Sequence, residues 1–465
     1  MARDQLIKQS IVELVSLIKT KQVSPVEVVD DHLDQIEQFN SALNAIVTLS
    51  PDLLDQARAS EAMLARENLL GPLHGIPLTI KDTIATAGIR TTSGSRRREN
   101  YLPAADATVV ARLKAAGAIV LGKTNTSEMA IPYETDNPIF GRTNNPYNQS
   151  LTSGGSSGGE ASAIAACLSP AGIGSDLSGS IRVPAHFCGI VGLKPTSGRI
   201  PMQGHVPAVH NALASGACIG PMARRVEDVS LLFSVLAGAQ EFATAAEREL
   251  KGLRVGWYDY DGVTPVSAET TLTVKAAVNA LAGGGYEVFN ERPPGVEHGF
   301  RLWVDLFSQA SAADLQEFYS GAEDLAGPLA RKILEATKEG RSQSPEELQL
   351  ALRKRDHFRG QLLTWMDTTP LIVAPVGATP AFPHGTQRLN VAGESISVFR
   401  AFSYSQAFNV FDLPSVVLPA GRTAEGLPIG VQIVGLPNAE ASILAAAAIV
   451  ERVLGGWEPE LSGAQ

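Results

Sequence analysis

The sequence predicts an α/β fold: a single large domain with a central mixed β-sheet covered by helices on both faces. Three observations carry that prediction. PLIVAPVG, PSVVLPAG and PIGVQIVG are short apolar runs of the kind that strands buried on both sides show. Helical patterns alternate with such runs, as in folds that layer helices on a sheet. Strands come from both ends of the chain with no long polar linker between them, so residues 1–465 are expected to form one domain.

Two helices open the chain. Ile11, Leu14, Val15 and Ile18 share one helical face after Ser10. Ser24-Pro25-Val26-Glu27 is a capping box with proline at the first helical position, followed by Val29, Leu33 and Ile36. GIPLTIKD (Gly75–Asp82) is a short apolar strand that ends at a lysine, and ATVVARLKAAGAIVLGKTN (Ala107–Asn125) reads as a helix, a glycine stop and a strand. Leu253–Tyr260 predicts a strand, Ser267–Leu281 a helix and Tyr286–Phe289 a strand. The three apolar runs named above follow, and Glu440–Leu454 closes as a helix. Residues 299–365 interrupt the strand pattern. They are helical and charge-rich, carry a second box at Ser344-Pro345-Glu346-Glu347, and are expected to cap the substrate pocket.

Apolar residues make up 44% of the chain and charged residues 18%, which suits a folded protein with a substantial core and excludes a disordered one. The formal net charge of -10 argues against broad contact with nucleic acid or anionic lipid. The tight basic run Arg96-Arg97-Arg98 reads as a solvated loop. Cys167, Cys188 and Cys218 sit among small and apolar neighbours, which points to reduced, buried thiols. No secretory signal and no membrane-spanning run is present, so a cytoplasmic location is expected.

TSGGSSGGEAS (Thr152–Ser162) is the stretch that invites a chemical reading. A free linker would run on into polar sequence, whereas this one runs into small apolar residues, and Glu160–Leu168 should form a helix that neighbours approach closely. A phosphate loop needs lysine followed by serine or threonine, and here the loop ends in an acid. The GxSxG elbow matches in two registers, at Ser156 and Ser157, and should follow a strand, but NNPYNQSLT before it reads as loop. A second cluster, Gly174-Ser175-Asp176-Leu177-Ser178-Gly179-Ser180-Ile181-Arg182, sets a serine at the end of a small-residue turn. Its N–H groups from Leu177 to Ser180 suit an oxyanion hole, and Asp176 and Arg182 suit an ion pair bracing the turn. A plain tight turn with surface serines fits the same residues.

Lys81 in PLTIKD, Ser156 in GGSSGGEAS and Ser180 in SDLSGSIRVPAHFCGIVGLKPT together resemble the amidase signature family. The likeness extends from the N-terminal helices to GLPIGVQIVG, and Pro132–Asn148 looks most like the fatty acid amide hydrolase branch. The resemblance implies the amidase signature fold and a Ser–cis-Ser–Lys triad, with Ser180 as nucleophile, Ser156 in a cis peptide as proton relay and Lys81 as base. It implies an oxyanion hole from the N–H groups of Leu177, Ser178, Gly179 and Ser180. The chemistry suits the residue types, because serine needs an adjacent base and burial lowers a lysine pKa towards neutrality. The family usually has glycine where this chain has Ser178, which bears on substrate range. Ala130 and Ser157 are expected at the substrate pocket, and Ser157 and Ser153 alternatively satisfy loop backbone. His186 reads as structural. His205 and His210 have no third ligand at useful spacing, so no metal is expected, and no organic cofactor either.

The implied reaction is hydrolysis of a carboxylic amide, ester or carbamate through an acyl-enzyme, with a small molecule as partner. The late region SVFRAFSYSQAFNVFDLP offers only Arg400 and Asp412 as charges, which predicts a pocket for a neutral apolar or aryl group. Two alternatives stand beside this reading. One is the A subunit of a glutamine-dependent tRNA amidotransferase, which needs partner chains. The other is an inactive scaffold of the same fold. Oligomeric state is not legible, and a homodimer stays open.

Overall fold

The computed structural model describes residues 3–131, 133–238, 250–339 and 343–457. Residues 340–342 of the expected cap, and Pro132 of the Pro132–Asn148 stretch, lie outside the described residues.

The strands are β1 (Ile46–Leu49), β2 (Pro77–Lys81), β3 (Ile119–Thr124), β4 (Asn144–Asn145), β5 (Asn148–Thr152), β6 (Ala171–Asp176), β7 (Val191–Lys194), β8 (Cys218–Ala223), β9 (Arg254–Trp257), β10 (Glu287–Asn290), β11 (Leu371–Pro375), β12 (Arg388–Val391), β13 (Glu394–Ser397), β14 (Ser415–Arg422) and β15 (Pro428–Gly435). Eleven of them form one sheet in the order β1-β3-β2-β6-β8-β7-β14-β15-β11-β9-β10. The sheet is mixed: β3, β2 and β6 run parallel, as do β11, β9 and β10, and the strands between are antiparallel.

Alternate residues of the central strands belong to different cores, so both faces are covered. In β3, Val120 packs with the Ile11–Lys19, Thr108–Ala115 and Val226–Ala237 helices, whereas Ile119 and Leu121 pack with Pro25–Leu43 and Leu53–Ala65 on the other side. In β14, Val416 and Leu418 face one core and Val417 another; in β11, Leu371 and Val373 face one and Ile372 and Ala374 another. Such strands read as continuous apolar runs, which is why the sequence shows them without a period of two.

The helix starts follow the expected boxes. Ser24 accepts from the Glu27 N–H at 3.1 Å while Glu27 accepts from the Ser24 N–H at 2.7 Å, and Ser344 with Glu347 repeats the pattern. All three cysteines are buried free thiols.

The structure corrects one local reading. NNPYNQSLT is not simple loop: β4 and β5 pair as a hairpin across Pro146 and Tyr147, with Asn145 opposite Asn148. The hairpin has no alternating apolar face. Asn145 Nδ2 holds it by donating to Thr152 O and Phe187 O at 3.2 and 2.9 Å. A short strand therefore does precede the serine loop, although it lies outside the large sheet.

Residues 299–365 are helical, as Gly299–Trp303, a π-helical turn Val304–Ser308, Gln309–Tyr319, Pro328–Glu339 and Pro345–Met366.

Candidate active site

The site gathers at the carboxyl ends of parallel strands, where α/β sheets place their ligands. Lys81 ends β2 and Asp176 ends β6, and the parallel register that sets Ile80 opposite Ile173 brings these ends side by side. The lysine is fully buried. Its Nζ lies 2.6 Å from Ser156 Oγ and 3.1 Å from Ser175 Oγ. Burial lowers the Lys81 pKa to about 7, against the charges of Asp176 and Glu160, which favour the ammonium. Near neutral pH a large share of the amine is therefore free to take a proton.

The glycine-rich loop delivers Ser156 to that amine. The Gly155–Ser156 peptide is cis. The loop is held from the Thr124–Thr135 side: Thr126 Oγ1 donates to Ser156 O at 3.0 Å and Thr135 Oγ1 to Gly154 O at 2.9 Å. The helix that follows, Gly158–Ala165, is packed so closely that a Cβ on Gly159 would come 2.4 Å from Asn125 O. The acid of this stretch lies beneath the strands. Glu160 accepts from the hydroxyls of Thr79 and Thr124, and burial raises its pKa to about 7.

Ser180 sits on a turn built around Asp176. This carboxylate is fully buried and takes Arg182 Nη2 and Nε at 3.0 and 3.1 Å. It also accepts from the Ile181 N–H at 3.1 Å and from Asn409 Nδ2 at 2.9 Å. Burial pushes the Asp176 carboxyl up, but the Arg182 charge and these donors win and hold it well below the usual carboxylate range. Asp176 also claims the Gly179 N–H, at 2.9 Å. That corrects the expected oxyanion set, because a donor turned inward to the carboxylate does not face a substrate. Gly179 has φ of +106°, which turns its peptide in this way and favours glycine. The N–H groups of Leu177, Ser178 and Ser180 donate to no acceptor among the described residues, and these three line the cavity while Gly179 does not.

Two aromatic side chains fix the carbonyls of the same turn. Trp303 Nε1 donates to Leu177 O at 3.0 Å, and Tyr133 Oη to Ser178 O at 2.9 Å. Gln406 Nε2 donates in turn to Tyr133 Oη at 2.6 Å. Because a peptide's N–H and C=O point opposite ways, Trp303 holding the Leu177 carbonyl aims the Ser178 N–H.

Ser156 and Ser180 open on one cavity of about 570 Å³. No hydrogen bond joins their hydroxyls. The wall is largely apolar, with Met129, Phe300, Trp303, Leu315, Ile333 and Phe399 among its residues. Residues 299–339 supply one side of it. Ala130 lines the cavity. Ser157 does not: it is fully buried below the site, where its Oγ donates to Ser175 O at 3.3 Å. Arg400 and Asp412 also stay off the wall. Arg400 donates to Val263 O and Asp412 accepts from the Ser197 N–H at 2.9 Å. His186 bridges Thr379 O and the Gly430 N–H, a structural role.

Sequence reasoning missed Ser175, His205, Tyr133 and Trp303. His205, considered only as a metal ligand, lines the cavity with Nε2 2.9 Å from Ser175 Oγ. Among the described residues no three His, Cys, Asp or Glu side chains are grouped to hold a metal, and no helix is long and apolar enough to cross a membrane.

Comparison with known proteins points to one family. The Amidase family profile matches residues 27–444. The A subunit of glutamyl-tRNA(Gln) amidotransferase from Carboxydothermus hydrogenoformans is 34% identical over 483 residues, covering 95% of this chain and 96% of that protein. Fatty-acid amide hydrolase 2 of Homo sapiens is 32% identical, covering 98% and 90%. Among solved structures, a bacterial aryl acylamidase of the amidase signature enzymes superposes with a TM-score of 0.84 at 27% identity, covering 96% of each chain. A 6-aminohexanoate cyclic dimer hydrolase complexed with substrate gives 0.84 at 28%, covering 98% of this chain and all of that one.

Proposed function

The chain belongs to the amidase signature family, and from that premise we propose that it is a serine amidohydrolase that cleaves an apolar or aryl carboxylic amide, with esters and carbamates as further substrates. The observation that carries the reading is the buried Lys81 amine 2.6 Å from Ser156 Oγ, with Ser156 and Ser180 both lining one largely apolar cavity. Ser180 attacks the carbonyl, Ser156 takes its proton, and Lys81 takes that of Ser156. The N–H groups of Leu177, Ser178 and Ser180 stabilise the oxyanion. The leaving amine is protonated back through the relay, and water frees the acid. Of the helical segment 299–365, residues 299–339 act as the cap, and the Pro345–Met366 helix lines none of the cavity.

Hydrolysis of p-nitroanilides and p-nitrophenyl esters by the purified chain tests this. Ser180→Ala should abolish turnover, and Ser156→Ala and Lys81→Ala should lower it roughly 100- to 10,000-fold, the usual contribution of positioned acid–base groups. Turnover that survives Ser180→Ala puts the nucleophile elsewhere.

The similarity to the A subunits of amidotransferases favours a second reading, in which the chain works only with partners. The cavity speaks against it. Its wall is largely apolar, and its charged residues are Asp176, Asp314 and Lys332, of which Asp176 is already paired with Arg182. Amide hydrolysis by the lone chain decides for the first reading, and silence of the lone chain on a broad panel leaves the subunit reading or an inactive scaffold of the same fold.

A further inference from the structure

We propose that His205 is a positioning residue for the general base, acting through Ser175: it accepts the hydrogen bond of the Ser175 hydroxyl and so leaves the Lys81 lone pair free for Ser156. The inference rests on the reading of Lys81 as base.

The protons in this chain of contacts are few enough to place one by one. His205 Nδ1 lies 2.8 Å from Pro207 O, and a carbonyl only accepts, so Nδ1 carries the ring proton. Burial, and then the nearby Lys81, lower the ring pKa to about 4, so the ring is neutral and Nε2 is an acceptor. The group facing Nε2 is Ser175 Oγ at 2.9 Å, which must donate. A serine hydroxyl has a single proton. Spent on His205, it turns the Ser175 oxygen to Lys81 as an acceptor, at 3.1 Å. A neutral amine has two N–H groups and one lone pair. One N–H goes to Ser175, and the lone pair is directed to Ser156 Oγ at 2.6 Å. Without His205 the Ser175 hydroxyl is free to rotate, donate to Nζ and occupy the lone pair that catalysis needs.

The backbone is built to hold the ring there. His205 pairs with Ile84, just beyond the end of β2, and the Val206 N–H donates to Thr83 O at 2.8 Å. The charged groups acting on Lys81 are Asp176 from β6 and Glu160 from the Gly158–Ala165 helix, and Lys81 acts on the ring. Asp314, on the cavity wall, is engaged by His210 at 3.2 Å.

The test is a double-mutant cycle read across pH. His205→Leu should lower kcat about 10- to 100-fold, the loss typical of removing a partner that orients a functional group. The acid limb of its pH profile should move to lower pH, since a Ser175 hydroxyl free to donate stabilises the neutral amine. Ser175→Ala should lower kcat too, and adding His205→Leu to it should change nothing more. His205→Gln, whose carbonyl oxygen replaces Nε2 as acceptor, should recover most of the activity. Multiplying losses in the double variant, or equal losses for Gln and Leu with an unmoved acid limb, overturn the proposal. Lys81→Ala, assayed alongside, separates the two levels: if it keeps parental turnover the triad itself is wrong, whereas its collapse with an additive cycle removes only His205.

Discussion

The turn that carries Ser180 and the helical wall opposite it meet across one cavity but are built by different rules. In the turn the charged side chains are committed to named partners. Asp176 alone takes donors from Gly179, Ile181, Arg182 and Asn409, all buried, and Arg182 in turn donates to Gln432 and Asn409. The wall from Gly299 to Glu339 packs mainly through apolar side chains, and some of those are exposed, such as Leu329 at 49%. It touches the chemistry directly at one point, Trp303. Polar networks define a geometry and tolerate little; apolar contacts define a volume and tolerate a good deal. The turn should therefore govern whether the reaction runs, and the wall which substrate runs it.

The hardest blow to that division falls on the turn. Arg182→Met leaves a buried carboxylate without its cation, which should cost about 3–5 kcal/mol and most of the activity. Urea unfolding is the measurement, and a midpoint close to the parent's would show that Asp176 is held well enough by neutral donors. That outcome would reduce the turn to ordinary packing.

Lys81 separates stability from function within the same region. Its pKa of about 7 lies below the value of 10.5 for an unburied lysine. Between those values the unfolded chain binds a proton that the folded chain lacks, so Lys81 lowers stability as pH falls through this window, with no further change below about 7. Lys81→Met should be inactive yet more stable than the parent, with the gain in Tm growing from pH 9 to pH 7. In the parent, kcat/KM should rise through about pH 7 as the amine loses its proton. A Tm difference that is flat with pH would mean the lysine stays charged.

The sequence discloses these two regions unequally, for physical reasons. The Ser24–Glu27 box, the apolar run ending at Lys81 and the helix stop at Gly117 are local signals and lie where the pattern puts them. β6 and β8 are not legible, because AGIGSD and CIGPMA are rich in glycine and proline, poor strand formers. Packing demands that composition: a Cβ on Gly172 would meet Glu160 Oε1 and one on Gly220 would meet Leu193 O. Lys81, Ser156 and Ser180 are proposed through the resemblance. Trp303, 126 residues from Leu177, and His205, 30 from Ser175, meet their partners only through the tertiary fold, and no spacing announces them.

Trp303 is where the two regions join, and replacing it sharpens the comparison. Trp303→Phe keeps an aromatic wall but removes the N–H that holds the Leu177 carbonyl. The Ser178 N–H then loses its aim, and kcat should fall about tenfold, short of the 100- to 1000-fold typical of deleting an oxyanion donor outright. KM should move less than kcat. The opposite split, with KM rising and kcat kept, would make Trp303 wall alone and leave the turn independent of its cap.

The smallest effect on folding is expected at the outer wall, and it tests the other half of the division. Leu329 is the second residue of the Pro328–Glu339 helix, lines the cavity and is half exposed. Leu329→Asp places a negative charge in the first helical turn, where the helix dipole accepts it, so stability should stay within about 0.5 kcal/mol of the parent. The same charge borders an apolar cavity. A long acyl or aryl anilide that reaches this end would have to desolvate it, whereas an acetate ester ends near Ser180. The kcat/KM for the long substrate should therefore fall several-fold more than that for p-nitrophenyl acetate. Equal losses on both substrates would mean that the outer helix transmits to the turn, and wall and turn would then have to be treated as one unit.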